Sequence, residues 1–290
     1  MTACIGEIVV YPLKSGAGQS LPAAEVGTRG LAGDRSWMLV DANGRFVSGR
    51  EWPALVRVQV QADGAWARFA LDGSAALEVA VPADAPRLEV EVWGSRMSAA
   101  DAGDTAAAWF SAAFGQSLRL VHADAAMQRP LDPKYARPED ETAFADGFPL
   151  LLLSRAACEE LSARAGRDLG WRRFRPNLVI DGVAAHAEDG WTRVRIGAVE
   201  FDVVKPCVRC VFTTVDPDRG EREADGQPLR TLKDYRRGAQ GITFGQNLIA
   251  RGSGAGTESS NMSSSPSEPG ASPSIACGTD SSSASMSAFG

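Results

Sequence analysis

Asn43-Gly44, Asp63-Gly64 and Asp72-Gly73 cut the first third of the chain into short runs, and no other feature constrains the fold as strongly. Asn, Asp and Gly accept the positive φ that tight hairpins require, so each pair marks a reversal between strands. The runs between them alternate as half-buried strands do. Residues 36–40 and 45–48 flank the Asn43-Gly44 turn, and Val56, Val58 and Val60 alternate with Arg57 and Gln59. Strands at 66–71 and 76–81 follow, and in 88–93 Glu89 and Glu91 mark a wet face. Short strands broken so regularly predict a small barrel or sandwich.

A helix is expected next, capped by Asp101 or Asp104, with Ala106, Trp109, Phe110 and Ala113 on one face and Gly115 past its end. A second helix opens at Ser154 and stops at Gly166, and a third spans 229–236 after Pro228. Between the first two, 122–147 is polar and proline-bearing and reads as the connection between two domains. Later strands are expected at 178–181, 194–196, 199–204 and 211–215. From Gly254 to Gly290 the chain is dominated by Ser, Gly, Ala and Pro. Such a segment buries too little apolar surface to order itself, so a disordered tail with an incidental Cys277 is expected. The reading is a β-rich α+β chain in three parts: 1–121, 122–253 and the tail 254–290.

Charge and cysteine content narrow the classes of partner and place. A net charge of −6 and a pI near 5.1 argue against nucleic acid and against an anionic membrane surface. No run approaches the roughly 18 apolar residues that span a bilayer. Five cysteines, an odd number, do not read as a disulfide framework, and residues 5–11 lack the basic start of a leader. A reducing cytoplasm is therefore the expected location.

The sharpest chemical signal is Lys205-Pro206-Cys207-Val208-Arg209-Cys210, running into Val211-Phe212-Thr213-Thr214-Val215-Asp216-Pro217. Spacing alone leaves several readings open: half of a zinc site, a redox pair, or a structural motif. Zinc needs two further Cys or His ligands, and Cys4, Cys158, His122 and His186 show no companion spacing. An iron–sulfur cluster needs about four clustered cysteines. Lys205 and Arg209 bracket the pair, and nearby cations favour the thiolate that binds soft metals.

These residues resemble the cysteine motif of MOSC proteins, in the branch that holds the mitochondrial amidoxime-reducing components and the bacterial hydroxylaminopurine-reducing proteins. Tyr11-Pro12-Leu13-Lys14-Ser15, Leu31-Ala32-Gly33-Asp34-Arg35, Phe174-Arg175-Pro176-Asn177, Pro228-Leu229-Arg230-Thr231-Leu232 and Phe244-Gly245-Gln246-Asn247-Leu248 resemble that branch's other landmarks, in the same order. The resemblance covers roughly residues 3 to 252. It implies a small N-terminal β-barrel domain followed by a MOSC domain, a mixed barrel with flanking helices, and a site in the cleft between them. Because Ala255 onward is low in complexity, the final MOSC strand is expected to be missing.

The same resemblance implies a molybdenum cofactor of the molybdopterin type, with Cys210 as metal ligand and catalytic residue and Cys207 as its neighbour. Lys14, Ser15 and Arg35 would hold the pterin's phosphate and ring edge, Arg175 and Asn177 would contact the cofactor from the second domain, and Gln246 and Asn247 would join them. The implied activity is reduction of N-hydroxylated compounds such as hydroxylamines, amidoximes and N-hydroxylated bases. Electrons would come from a separate ferredoxin, flavoprotein or cytochrome. Two other classes stay open. MOSC domains also terminate pyridoxal-phosphate-dependent molybdenum-cofactor sulfurases; with nothing here resembling their desulfurase domain, the chain would then be a non-catalytic cofactor or sulfur carrier. Alternatively, Cys207 and Cys210 form a zinc or redox module.

Overall fold

The computed structural model describes residues 3–251, 274–276 and 286–289. The first half carries β1 (Cys4–Val10), β2 (Gln19–Leu21), β3 (Ala23–Gly27), β4 (Gly30–Leu31), β5 (Trp37–Val40), β6 (Gln59–Ala62), β7 (Trp66–Ala70) and β8 (Leu77–Ala80). Then come β9 (Arg87–Val92), β10 (Ser95–Asp101), helix α1 (Asp104–Phe114) and β11 (Arg119–His122). The second half adds β12 (Leu150–Ser154), α2 (Arg155–Ala165), β13 (Leu178–Asp181), β14 (Arg193–Ile196) and β15 (Val199–Val208). It continues with α3 (Leu229–Tyr235), β16 (Arg237–Gly238) and β17 (Gly241–Arg251), and the tail contributes β18 (Ser274–Ala276) and β19 (Met286–Phe289).

The β-rich expectation holds. The largest sheet has nine strands, ordered β19-β14-β15-β17-β12-β13-β1-β2, with β16 paired to β17. A four-stranded sheet runs β5-β11-β10-β9, and two three-stranded sheets run β6-β7-β8 and β18-β3-β4, each an open path among the described residues. β1 pairs antiparallel with β13, which runs parallel to β12, so the chain's first strand is stitched into the sheet of the second half. That crossing sets the walls of the site side by side.

Packing explains the arrangement. β12 is buried along its whole length, as a central strand covered on both faces must be. Ile8, Leu152, Ile180, Phe201 and Leu248 form the core against the large sheet. Trp37, Phe69 and Phe110 pack edge to face at 5.7 and 5.4 Å in the core of the first half, which α1 closes. Each fully buried aromatic of this kind stabilises the fold by about 2–3 kcal/mol. α1 and α2 both end on a left-handed glycine, Gly115 and Gly166, as expected.

Three sequence expectations change. The strand foreseen from Val56 begins only at Gln59, because Pro53–Arg57 forms a 3₁₀ turn; Pro53 suits the first helical position, and adjacent Leu55 and Val56 both bury. The run 45–48 contributes only isolated bridges, Val40 to Phe46 and Arg45 to Glu91. Most of the expected disordered tail, Cys277 included, lies outside the described residues. Its described parts are strands: β18 pairs with β3, and β19 pairs with the edge strand β14. On that side the large sheet therefore ends on β19. Backbone pairing needs few apolar side chains, and Met286, only 8% exposed, anchors the segment in the core.

Candidate active site

Tyr11 follows directly on β1, and the chain turns so that it lies under two guanidinium groups. Arg35 and Arg175 sit over its ring, with their Cζ atoms 4.4 and 4.1 Å from the centroid. Both arginines adopt positive φ, 46° and 57°, a conformation uncommon outside glycine and held here by surrounding bonds. Arg35 donates to Asp34 Oδ2 at 2.6 Å, to Asn177 Oδ1 at 2.9 Å and to the Arg175 carbonyl at 3.1 Å. Arg175 Nη1 donates to the Gly16 carbonyl at 2.6 Å, while its buried Nη2 has no partner among the described residues. Burial lowers the Arg175 guanidinium to about 10, with Arg35 adding to the fall.

Asn177 is a tie between elements. Its Oδ1 accepts from the Leu151 amide at 3.2 Å as well as from Arg35, and its Nδ2 donates to the Val9 carbonyl at 3.1 Å. It thereby fastens β1 to β12 and aims Arg35. Asn177→Ala takes a partner from two buried groups, the Leu151 amide and the Val9 carbonyl, and one of two from Arg35 Nη1, and is expected to cost about 2–4 kcal/mol, read as a fall in the urea unfolding midpoint.

Lys14 is 5% exposed, and its Nζ donates to the Phe144 carbonyl at 2.7 Å and to Asp146 Oδ1 at 2.6 Å. Ser15 accepts from the Gly49 amide at 3.0 Å. Burial lowers the Lys14 ammonium from 10.5 to about 8, with Asp146 pulling the other way. A lysine that holds its proton less tightly in the folded state weighs on stability below pH 8 and sheds that burden as pH rises towards 10.5. Wild type should gain about 3 kcal/mol relative to Lys14→Met across that window, measured by urea unfolding of both proteins. Taking the difference cancels Cys158 and Tyr11, whose raised alkaline titrations occur in both proteins. A difference that stays flat with pH would show that Lys14 is not desolvated.

The cysteine motif leaves β15 at a double irregularity. The pairing of β15 with β17 shifts register between Val203 and Lys205 and again between Pro206 and Val208, which accommodates the missing N–H of Pro206. Cys210 then opens a 3₁₀ turn, Val211–Thr214, where a strand had been expected. The threonine hydroxyls account for the difference, since Thr213 and Thr214 donate to the carbonyls of Cys210 and Val211 at 2.9 and 2.7 Å.

The two bracketing cations favour the Cys207 thiolate as the sequence suggested, but burial outweighs them. Arg209 turns inward to the carbonyls of Phe244 and Phe174, at 2.8 and 3.1 Å. Lys205 Nζ lies over the Tyr135 ring at 4.8 Å. Burial pushes the Cys207 thiol up despite both of them.

Lys14, Ser15, Arg35, Arg175, Asn177, Asn247 and Cys210 all line one cleft of about 380 Å³. Gln246 does not. Its Nε2 donates to Asp189 Oδ1 at 2.7 Å, because adjacent residues of β17 face opposite sides of the sheet. Asn247, on the cleft side, donates to the Lys205 carbonyl at 3.2 Å.

The cleft wall carries seven cations, Lys14, Arg35, Arg50, Arg173, Arg175, Lys205 and Arg209, against one carboxylate, Asp146. In a chain of net charge −6 this is a concentrated field for an anion. Arg50, Trp93, Asp146 and Arg173 escaped the sequence reading. Of these only Arg173, beside Phe174-Arg175-Pro176-Asn177, had a local signal. Among the described residues no three His, Cys, Asp or Glu side chains converge as metal ligands, so the CxxC pair has no companions there for a zinc site.

Two family models match the chain. Residues 2–117 match the MOSC N-terminal beta barrel domain, and residues 139–259 match the MOSC domain. Mitochondrial amidoxime-reducing component 1 of Mus musculus is 37% identical over 243 residues, 80% of this chain and 71% of that one. Its Homo sapiens counterpart is 34% identical over 245 residues, 80% and 72% of the two chains. Mitochondrial amidoxime reducing component 2 of Homo sapiens is 31% identical over 244 residues, with the same coverage. These relatives are mitochondrial by name, which overturns the cytoplasmic placement. Cysteine usage separates reducing from oxidising compartments, and it does not separate one reducing compartment from another. No helix among the described residues is long and apolar enough to cross a membrane.

Proposed function

The chain belongs to the MOSC family that includes the amidoxime-reducing components, and from that premise we propose that it is an oxidoreductase of N-hydroxylated compounds, dependent on a molybdenum cofactor held in the cleft. One observation carries the reading: a strongly cationic cleft that also presents the half-buried sulfur of Cys210. A phosphate-bearing pterin dithiolene asks for that donor set, charge-assisted N–H groups at one end and a soft thiolate at the other. Nη2 of Arg175, without a partner among the described residues, offers a buried donor to such a ligand.

In this reading the Cys210 thiolate ligates the metal. Lys14, Arg35 and Arg175 hold the phosphate and pterin edge, with Ser15 beside them. Asn177 acts through Arg35, whose guanidinium it aims, and Asn247 lines the wall. Gln246 serves the fold through Asp189 rather than the cofactor. The bound cofactor supplies two-electron redox chemistry at molybdenum. The protein's own part is to fix the thiolate, neutralise the anionic cofactor and admit the N-hydroxylated group. Electrons arrive from a separate redox partner.

Purified protein should contain near-stoichiometric molybdenum and pterin and reduce an amidoxime to the amidine when supplied with a reduced donor. Zinc in place of molybdenum, or fully loaded protein without turnover, defeats the proposal; the second result would leave a cofactor carrier.

A further inference from the structure

β9 and β10 are joined by Trp93-Gly94 alone. Val92 pairs with Ser95, and the two turn residues have φ of 51° and 85°. Two-residue turns with positive φ at both central positions favour Asn, Asp or Gly in the first. A tryptophan there is held in the left-handed region, which few residues other than glycine, asparagine and aspartate visit routinely. Burial does not offset this, because Trp93 is 46% exposed. The indole is nevertheless fixed. Its Nε1 donates to Asp146 Oδ1 at 3.0 Å, the Arg50 guanidinium lies 4.0 Å over the ring, and Phe46 meets it edge to face at 4.7 Å. The ring lines the same cleft as Cys210. A strained, half-exposed and immobilised aromatic in the cleft that also presents Cys210 has the properties of a ligand surface rather than of a turn residue.

Resting on the reductase reading above, we propose that Trp93 is a specificity-determining residue, selecting planar aromatic N-hydroxylated substrates by stacking them against the exposed part of its indole. Aryl N-hydroxyamidines and N-hydroxylated bases share that planar face. Aliphatic N-hydroxy compounds gain nothing from it. Asp146 and Arg50 position the ring and do not touch the reacting atoms.

Benzamidoxime and acetamidoxime make a matched pair, with the same reacting group and only one aromatic ring between them. Asparagine suits the turn, so Trp93→Asn is expected to be as stable as wild type and to keep its molybdenum. Its KM for benzamidoxime should rise about tenfold with little change in kcat, while both constants for acetamidoxime stay put. Trp93→Phe should retain part of the preference. Calorimetry of benzamidoxime binding to the purified full chain should show the same loss in Trp93→Asn. Equal effects on the two amidoximes, no effect on either, or loss of molybdenum from Trp93→Asn overturns the assignment. If wild type reduces neither compound, the reductase reading fails on its own, and calorimetry still decides whether Trp93 binds the ring.

Discussion

Cys210→Ser is expected to lose nearly all of its molybdenum and to fall at least about 100-fold in amidoxime reduction, whereas Cys207→Ser keeps most of both. Loss of partners one shell out from a metal already costs about 10–100-fold, so loss of the ligand itself should exceed that. Serine is nearly isosteric with cysteine, yet its hydroxyl does not ionise near neutral pH and is hard where the metal is soft. The two cysteines differ physically. Burial pushes the Cys207 thiol up, which disfavours the thiolate that a soft metal needs. Cys210 opens the 3₁₀ turn with its carbonyl pinned by Thr213, which fixes the backbone that carries its sulfur. Both side chains are partly exposed, so neither substitution should move stability by more than about 1 kcal/mol. Metal analysis together with turnover checks the pair. Equal loss in both variants would remove the case for a single ligand.

Local signals carried the reading of the strands and helices further than the reading of the site. Asn-Gly and Asp-Gly pairs state their turn chemistry within two residues, and Gly115 and Gly166 state the helix ends. The cleft depends on pairs that the sequence keeps far apart. Lys14 meets Asp146 and Arg35 meets Asn177 only because β1 crosses into the second sheet, and no local pattern records that crossing. The motifs that resemble the family located Lys14, Arg35, Arg175, Asn247 and Cys210 at the cleft, but they could not give side-chain direction. Gln246 and Asn247 are neighbours in one motif, and the two-residue period of β17 sends them to opposite faces. Arg209 was legible as a cation near the cysteines, but sequence adjacency says nothing about which carbonyls its guanidinium will find. Trp93 was legible only as the end of a strand, since its role lies in a φ value.

Gly245→Ala tests the backbone that supports the cysteine motif and is expected to cost about 2–5 kcal/mol of stability. Gly245 sits in β17 at φ 75°, and a methyl group there would lie 2.6 Å from the Leu152 carbonyl oxygen. Leu152 belongs to β12, whose pairing with β17 runs through the middle of the nine-stranded sheet. Backbone against backbone in a sheet centre cannot yield by a rotamer change, so the strands must part or the chain must twist. The same methyl would stand 3.4 Å from Nη2 of Arg209, the side chain that clasps the Phe244 and Phe174 carbonyls one residue before Cys210. Molybdenum content should therefore fall along with stability. Gly33→Ala supplies the control. Gly33 has an equally positive φ of 77°, but nothing lies within 4 Å of the added carbon, so only the conformational penalty of about 1–2 kcal/mol applies. Denaturant unfolding of the two variants separates strain from collision. If Gly245→Ala proves no worse than Gly33→Ala, β12 and β17 are not as closely apposed at Leu152 as described, and the support assigned to Arg209 goes with them.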